Sequence, residues 1–405
     1  MKHPYQNIVS TSTHLFVSVQ NHLQAFDVEG NLVGSWKDTI GHEDLLKKQQ
    51  LEKIEKLNQE PEIKRAENNK KVKIPKIPTP GPGAPTIYNY IRDLELTHDN
   101  KYLIGITDSD KSIIIFEINL NEDNCLKLIK RQTFPKRPCS ISIADDNSTV
   151  IIGDKFGDVY KIPIIGENVP EKDLKPILGH VSLLTDVLIT EHNGKQYILS
   201  SDRDEHIKVS NYPITYVVKH WLFGHDEFIS SMVQFDFDRE LLVTGGGDDY
   251  IYLWNWYGNK LLSKYPLRDL IEPLLDESHL PPERFLHEDS PKEISVVKMI
   301  TMDKFVVVLF QKVNGLLVLE IKDETLHLVE LFPLDYPLID ISAGGDKIFG
   351  LSEDKIITQF TFNGKLTIDD KEFKGMIENN PCEVQSKEEF YPLYTMNTLR
   401  KRSEH

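Results

Sequence analysis

A chain of 405 residues with 40% hydrophobic and 27% charged residues has ample apolar material for a large core, which excludes disorder of the whole chain. A formal charge of −16 argues against a surface that grips nucleic acid over most of its area, so any such contact has to be local or shared with a more basic partner. No apolar run reaches the roughly 18 residues of a membrane helix and the start, MKHPYQNIVS, has no signal-peptide core, so an intracellular protein is expected.

The first predicted elements are the strands of HLFVSVQNHLQAFDVEG, with apolar residues alternating up to Phe26-Asp27. Residues 38–86 follow, rich in Lys, Glu, Gln and Pro, and read as a long charged loop insertion. Within it Leu46, Ile54 and Leu57 suit one face of a short helix, and a solvated charged segment is equally open. Its basic residues Lys64, Arg65, Lys70, Lys71, Lys73 and Lys76 have the composition of a nuclear import signal. Next come the strands of TDSDKSIIIFEI, in which Asp110 precedes Ile113 by three residues and Phe116 by six. The run KLIKRQTFPKRP then sets Lys127, Lys130, Arg131, Lys136 and Arg137 close together, with Lys155 in the following hairpin SISIADDNSTVIIGDKFGDVYKI. In so acidic a chain this run is a candidate phosphate contact, against the plainer reading of a solvated hairpin face.

Gly179-His180 and Gly224-His225 lie 45 residues apart, and each pair opens the same sequence of strand, turn and strand. In the second unit Asp248 precedes Ile251 by three residues and Trp254 by six; in the first, Asp204, Ile207 and Ser210 have these offsets. Residues 263–293, containing SHLPPERF, read as a second insertion. VVKMITMDKFVVVLFQKVNGLLVLEI and SEDKIITQFTF then supply two more strand sets, the latter with Asp354, Ile357 and Phe360 at the same spacing. Residues 376–405 form a C-terminal segment with aromatics followed by a basic end.

A period near 45 residues with these signatures predicts an all-β, single-domain, seven-bladed WD-repeat β-propeller over residues 1–405, with blades starting near residues 5, 88, 133, 177, 223, 294 and 335. His225, Thr244, Asp248 and Trp254 match the buried hydrogen-bond network of such repeats, and His180, Ser200 and Asp204 match it in the preceding blade. The same residues superficially suggest a Ser/Thr-His-Asp triad, but a nucleophile needs exposure and an oxyanion site. No phosphate loop, dinucleotide fingerprint, HExxH or GxSxG motif is present, and TGGGDD falls in a hairpin. Cys125, Cys139 and Cys382 have no CxxC partner and the histidines do not cluster, so no metal site or cofactor is expected.

Several strings in this order, PTPGPGAPTIYNYIRDL, FPKRPCSISIADD, GDKFGDVYKI, ILGHVSLLTDV, SDRDEHIKVS, KHWLFGHDEFISS and YPLYTMNTLRKRSEH, make the chain resemble the WD-repeat non-catalytic subunit of the eukaryotic tRNA (guanine-N7)-methyltransferase. The resemblance runs from about residue 78 to the C-terminus and is loose between 263 and 375. It implies a heterodimer in which the other subunit binds S-adenosylmethionine and methylates a guanosine in the variable loop of tRNA, in the nucleus. It also implies partner contact through Arg203, Asp204, Glu205, His206 and Lys208, and tRNA contact through Lys136, Arg137 and Lys155. Lys208 takes the basic position expected to meet an acidic residue of the methyltransferase. The repeat pattern by itself also suits a scaffold of another assembly, such as a ubiquitin-ligase adaptor or a ribosome-assembly factor. A hydrolase working in the central channel would need acidic or histidine residues converging there, which the sequence does not assign.

Overall fold

The computed structural model describes residues 1–59 and 88–402, and these form seven four-stranded antiparallel sheets. The innermost strands are Asn7–Ser10, Ile91–Leu96, Pro138–Ile143, Leu184–His192, Ile229–Gln234, Val296–Met302 and Leu338–Gly344. Each sheet runs in chain order from this inner strand to an outer one, for example Leu184–His192, Lys195–Asp202, Ile207–Tyr212 and Val218–Leu222 in blade 4. Middle strands are buried on both faces because neighbouring blades cover them; Ile104, Ile106, Ile113 and Ile115 of blade 2 pack with Ile141, Val150 and Ile152 of blade 3 in one apolar cluster.

The inner strands share one device. A register shift sits near the start of the inner strand in blades 2 to 7, at Asp93, Ser140, Asp186, Ser231, Lys298 and Asp340. Such a bulge leaves a backbone N–H without a ladder partner. Asp93, Asp186 and Asp340 accept it from the next residue at 2.9, 2.9 and 2.8 Å. Asp186 Oδ2 also accepts the Met232 N–H of blade 5 at 2.9 Å, and Asp340 Oδ2 accepts the Ile8 N–H of blade 1 at 2.8 Å. These side chains therefore tie consecutive inner strands together around the channel. The seam between blades 7 and 1 is completed by Ser10 donating to Ser342 Oγ (2.9 Å) and by Met1 and His3 bonding to Val384 and Cys382 carbonyls.

The insertions differ from the sequence boundaries in instructive ways. Residues 263–266 are not part of the second insertion: the outer strand of blade 5 is Lys260–Pro266, because LLSKYP still alternates against Tyr250–Asn255. The excursion begins at Leu267 and is pinned by Arg268, which donates to both Asp249 oxygens at 2.8 and 2.7 Å. The charged insertion starts with an 18-residue helix, His42–Gln59, whose Leu46 and Ile54 are half-buried. Leu57 and the basic residues from Lys64 to Lys76 lie outside the residues whose side chains are described. No helix among the described residues is long and apolar enough to cross a membrane, and all three cysteines are free.

Candidate functional site

One end of the ring carries the turns between second and third strands and the connections from blade to blade. Every candidate residue falls at or just beneath this end. In blade 5 the repeat network is complete. The Trp254 indole N–H donates to Thr244 Oγ1 at 2.9 Å, and that hydroxyl lies 2.7 Å from His225 Nε2. The other ring nitrogen, Nδ1, is 2.8 Å from Asp248 Oδ2. Thr244, His225 and Asp248 are buried, so the group fastens the connection from blade 4 onto blade 5 and has no opening for a substrate.

Blade 4 departs from the expected assignment. His180 Nε2 lies 2.7 Å from Ser200 Oγ, but its Nδ1 meets Asp202 Oδ2 at 2.8 Å, not Asp204. The reason is local: Asp202 Oδ1 accepts the N–H groups of Asp204 and His206 at 2.9 and 3.1 Å, which curls the turn and aims its other oxygen at the histidine. Asp204 points outward instead, accepting from Ser182 Oγ and pairing with Lys401 Nζ at 2.8 Å. Asp154 makes the same turn in blade 3, accepting from Phe156 and Asp158 N–H at 2.8 and 3.1 Å. Ser210 stands where blade 5 has Trp254, so Ser200 receives no indole bond.

The predicted partner-contact residues lie together at the top of blade 4, four in its turn and Lys208 beneath them. Arg203, Asp204, Glu205 and His206 make its turn, with Glu205 at φ 73°, and Lys208 follows in the third strand. Lys208 is almost wholly buried: its ammonium donates to the Gly179 carbonyl and lies 4.7 Å from the Trp221 ring centroid. Burial holds its pKa below the usual lysine value, with Asp202 opposing that shift. Beside it His206 sits edge-on to Trp221 and Phe223, and the Phe223 ring and Val181 are exposed.

The basic run from Lys127 to Arg137 is divided by the fold. Arg131 is internal, bonded to both Asp38 oxygens at 3.0 Å and to Asp110 at 2.8 Å, where it anchors the start of the charged insertion. Lys130 donates to the Pro163 carbonyl and Lys127 pairs with Glu117. Lys136, Arg137 and Lys155 do come together, on the channel rim between blades 2 and 3, joined by Lys111 and Arg92. Asp108 pairs with Arg92 (2.6 Å) and Arg137 (3.4 Å). Sequence reasoning missed Lys111, because it lies 25 residues before Lys136 and only the ring brings the two turns side by side.

The channel beneath encloses about 1760 Å³. Its carboxylates Asp93, Glu95 and Asp186 are pushed up by burial to about 6, 8 and 7 respectively. Asp93 and Asp186 serve the inner-strand bulges, and no cluster suited to a metal ion occurs among the described residues. Across the mouth runs the C-terminal segment. Met396 N–H bonds Gln311 of blade 6, Arg400 bonds the Gly247 carbonyl of blade 5, and Lys401 reaches Asp204 of blade 4. Tyr391 packs on Tyr88 and Tyr90 at the entry to blade 2, and the basic rim lies beyond it, between blades 2 and 3.

The fold is shared with solved propellers, including a chain of the mitotic checkpoint complex (11% identity, TM-score 0.58, covering 86% of this chain and 84% of that one) and U3-55K (13%, 0.56, 87% and 89%). At such identities only the architecture is common. The model of the tRNA methyltransferase TRM82 WD40 domain matches residues 15–176 and 166–359. Proteins described as the tRNA (guanine-N(7)-)-methyltransferase non-catalytic subunit TRM82 align over the full length: 52% identical in Debaryomyces hansenii and 47% in Meyerozyma guilliermondii, each over 100% of both chains. That of Saccharomyces cerevisiae S288c is 36% identical over 100% of this chain and 99% of its own. The chain therefore belongs to the TRM82 family, the WD-repeat non-catalytic subunits of tRNA (guanine-N7)-methyltransferase.

Proposed function

We propose that this chain forms a heterodimer with the catalytic, S-adenosylmethionine-binding methyltransferase subunit through the top of blade 4, and offers the rim of blades 2 and 3 to tRNA. The observation that carries the docking site is the setting of Lys208. Its ammonium is taken out of water with one carbonyl acceptor and an aromatic face, so its charge is undercompensated. An exposed apolar border lies beside it, where Phe223 stacks on the Trp221 that faces Lys208. A partner carboxylate entering there would supply the missing counter-charge while the border excludes water. The rigid turn at Asp202 presents the surface ready-made, so little ordering cost opposes docking. On the rim, Lys136, Arg137 and Lys155 give a chain of net charge −16 one local positive field suited to phosphates. Nuclear residence belongs to the same proposal, and a fluorescent fusion held in the cytoplasm would refute it.

The test uses the cognate catalytic subunit. Lys208→Met keeps the side-chain stem and removes the charge, and Phe223→Asp places a charge on the exposed border. Each is expected to weaken the complex by about 2 kcal/mol or more, roughly thirtyfold, with the free propeller melting as before. Formation of 7-methylguanosine on tRNA should fall in step at limiting subunit concentration. Unaltered affinity in both variants would rule out the blade 4 surface, and equal methylation by the catalytic subunit alone would leave this chain no part in the reaction.

A further inference from the structure

Beside the basic rim, the blade 3 turn holds up an aromatic ring. Phe156 is 55% exposed, yet its backbone is held on both sides. Buried Asp154 accepts the Phe156 N–H at 2.8 Å, and Gly157 follows at φ 98°. A Cβ on Gly157 would come within 2.5 and 2.6 Å of the Ser182 and His180 carbonyl oxygens, so the turn is seated on the connection to blade 4 and cannot swing. Single exposed apolar residues are ordinary. What sets this one apart is its surroundings: Lys136 Nζ lies 4.4 Å and Lys155 Nζ 5.3 Å from the ring centroid. Among the described residues neither ammonium has a carboxylate partner within salt-bridge distance, whereas Arg92 and Arg137 share Asp108. Burial, followed by the nearby Arg137, Lys111 and Lys136, depresses the Lys155 pKa, with Asp108 opposing.

A fixed ring flanked by unpaired ammonium groups has the chemistry of a nucleotide subsite, in which the π-face takes a base and the cations take the adjoining phosphates. We propose that Phe156 is a stacking platform for an exposed base of a structured RNA, with Lys136 and Lys155 turning from the ring onto the flanking phosphates. Lysine stems are long and the exposed cation–π contact is weak, so exchanging it for base stacking on one side and phosphate on the other is favourable. The ring offers no donor or acceptor to a base edge, so the subsite recognises an unstacked or terminal base face and not a sequence. This rests on the reading of the rim as the tRNA-facing surface.

The experiment measures binding of an unmodified tRNA transcript to the two-subunit complex across a salt series, for the natural protein, Phe156→Ala, Phe156→Tyr and Lys136→Ala/Lys155→Ala. Stacking predicts roughly tenfold weaker binding for Phe156→Ala at every salt concentration, with an unchanged salt slope and with Phe156→Tyr close to the natural protein. The double lysine variant should lower the slope by roughly 0.7 to 0.9 per lost phosphate contact. Natural affinity in Phe156→Ala beside a loss in the lysine variant overturns the stacking platform and leaves the rim reading standing. If the lysine variant also binds normally, both fail. A flattened slope in Phe156→Ala means the ring only positions the lysines, and weakened binding of the catalytic subunit in place of tRNA makes it a protein contact; either overturns the proposal.

Discussion

Two aspartates two residues apart divide the labour in the blade 4 turn. Asp202 is 3% exposed and satisfies His180 and two turn N–H groups, whereas Asp204 bonds Ser182 and Lys401 at the surface. Asp202→Ala leaves three partly buried donors without their acceptor and is expected to cost about 2 to 3 kcal/mol. Asp204→Ala removes one partly exposed ion pair and should cost less than about 1 kcal/mol. Urea midpoints of the two variants check this, and the reverse ranking would return the network to Asp204. Burial acts to raise the Asp202 pKa, but the His180 and His206 interactions prevail and hold it below the ordinary value. Its contribution is therefore complete above the unfolded aspartate pKa and is lost as pH falls through the lowered folded value. Offsets alone pointed to Asp204, because it is the residue aligned with Asp248; the side-chain turn that substitutes Asp202 is invisible to spacing.

At the scale of elements, strands and blades were legible because apolar alternation recurs from blade to blade and the Gly-His pairs of two blades, at 179–180 and 224–225, set the period. The misplaced start of the second insertion came from Ser263 and Lys264, polar residues on an outer strand that has little to bury. The path of the C-terminal segment was not legible, since most of its partners are distant in the chain: Gln311 is 85 residues from Met396, Asp204 is 197 from Lys401 and His3 is 388 from Tyr391. Its hold depends on Glu293, which is 8% exposed and takes both Arg402 Nη atoms at 2.6 and 2.7 Å with Arg400 Nε at 3.6 Å. Bidentate, poorly solvated pairs of this kind are strong locally. Glu293→Ala should release the segment and raise the rate of tryptic cleavage after Arg400, Lys401 and Arg402 by about tenfold or more, as a local opening made easier by about 1.4 kcal/mol requires. Cleavage at the natural rate would show that Gln311 and Gly247 hold the segment without the ion pairs.

For the whole molecule, closing the ring concentrates charge where none of the seven blades alone would. The inner strands bring Asp93, Glu95, Asp186, Lys298 and Asp340 into one channel from four blades, a convergence that no single repeat encodes. Three of these carboxylates answer a geometric need, the spare N–H of each bulge, and Lys298 offsets them through its 2.9 Å bond to Asp340. Glu95 serves no bulge. Desolvation inside the channel, reinforced by Asp93 and Asp186 against the opposing Lys298, lifts its pKa to about 8, although its side chain still faces channel solvent. A carboxyl raised from 4.5 to about 8 on folding favours the native state while protonated, so stability from this source declines as pH rises between those values and is constant above. Glu95→Gln removes the penalty. The variant should equal the natural protein near pH 4.5 and gain on it up to about pH 8, by about 1 kcal/mol because solvent in the channel screens the charge. Urea midpoints at pH 6 and pH 9 read the difference directly. A gain of the same size at both pH values would mean that the amide repairs packing, and that the channel carboxylates are compensated as fully by Lys298 as the bulge aspartates are by their N–H partners.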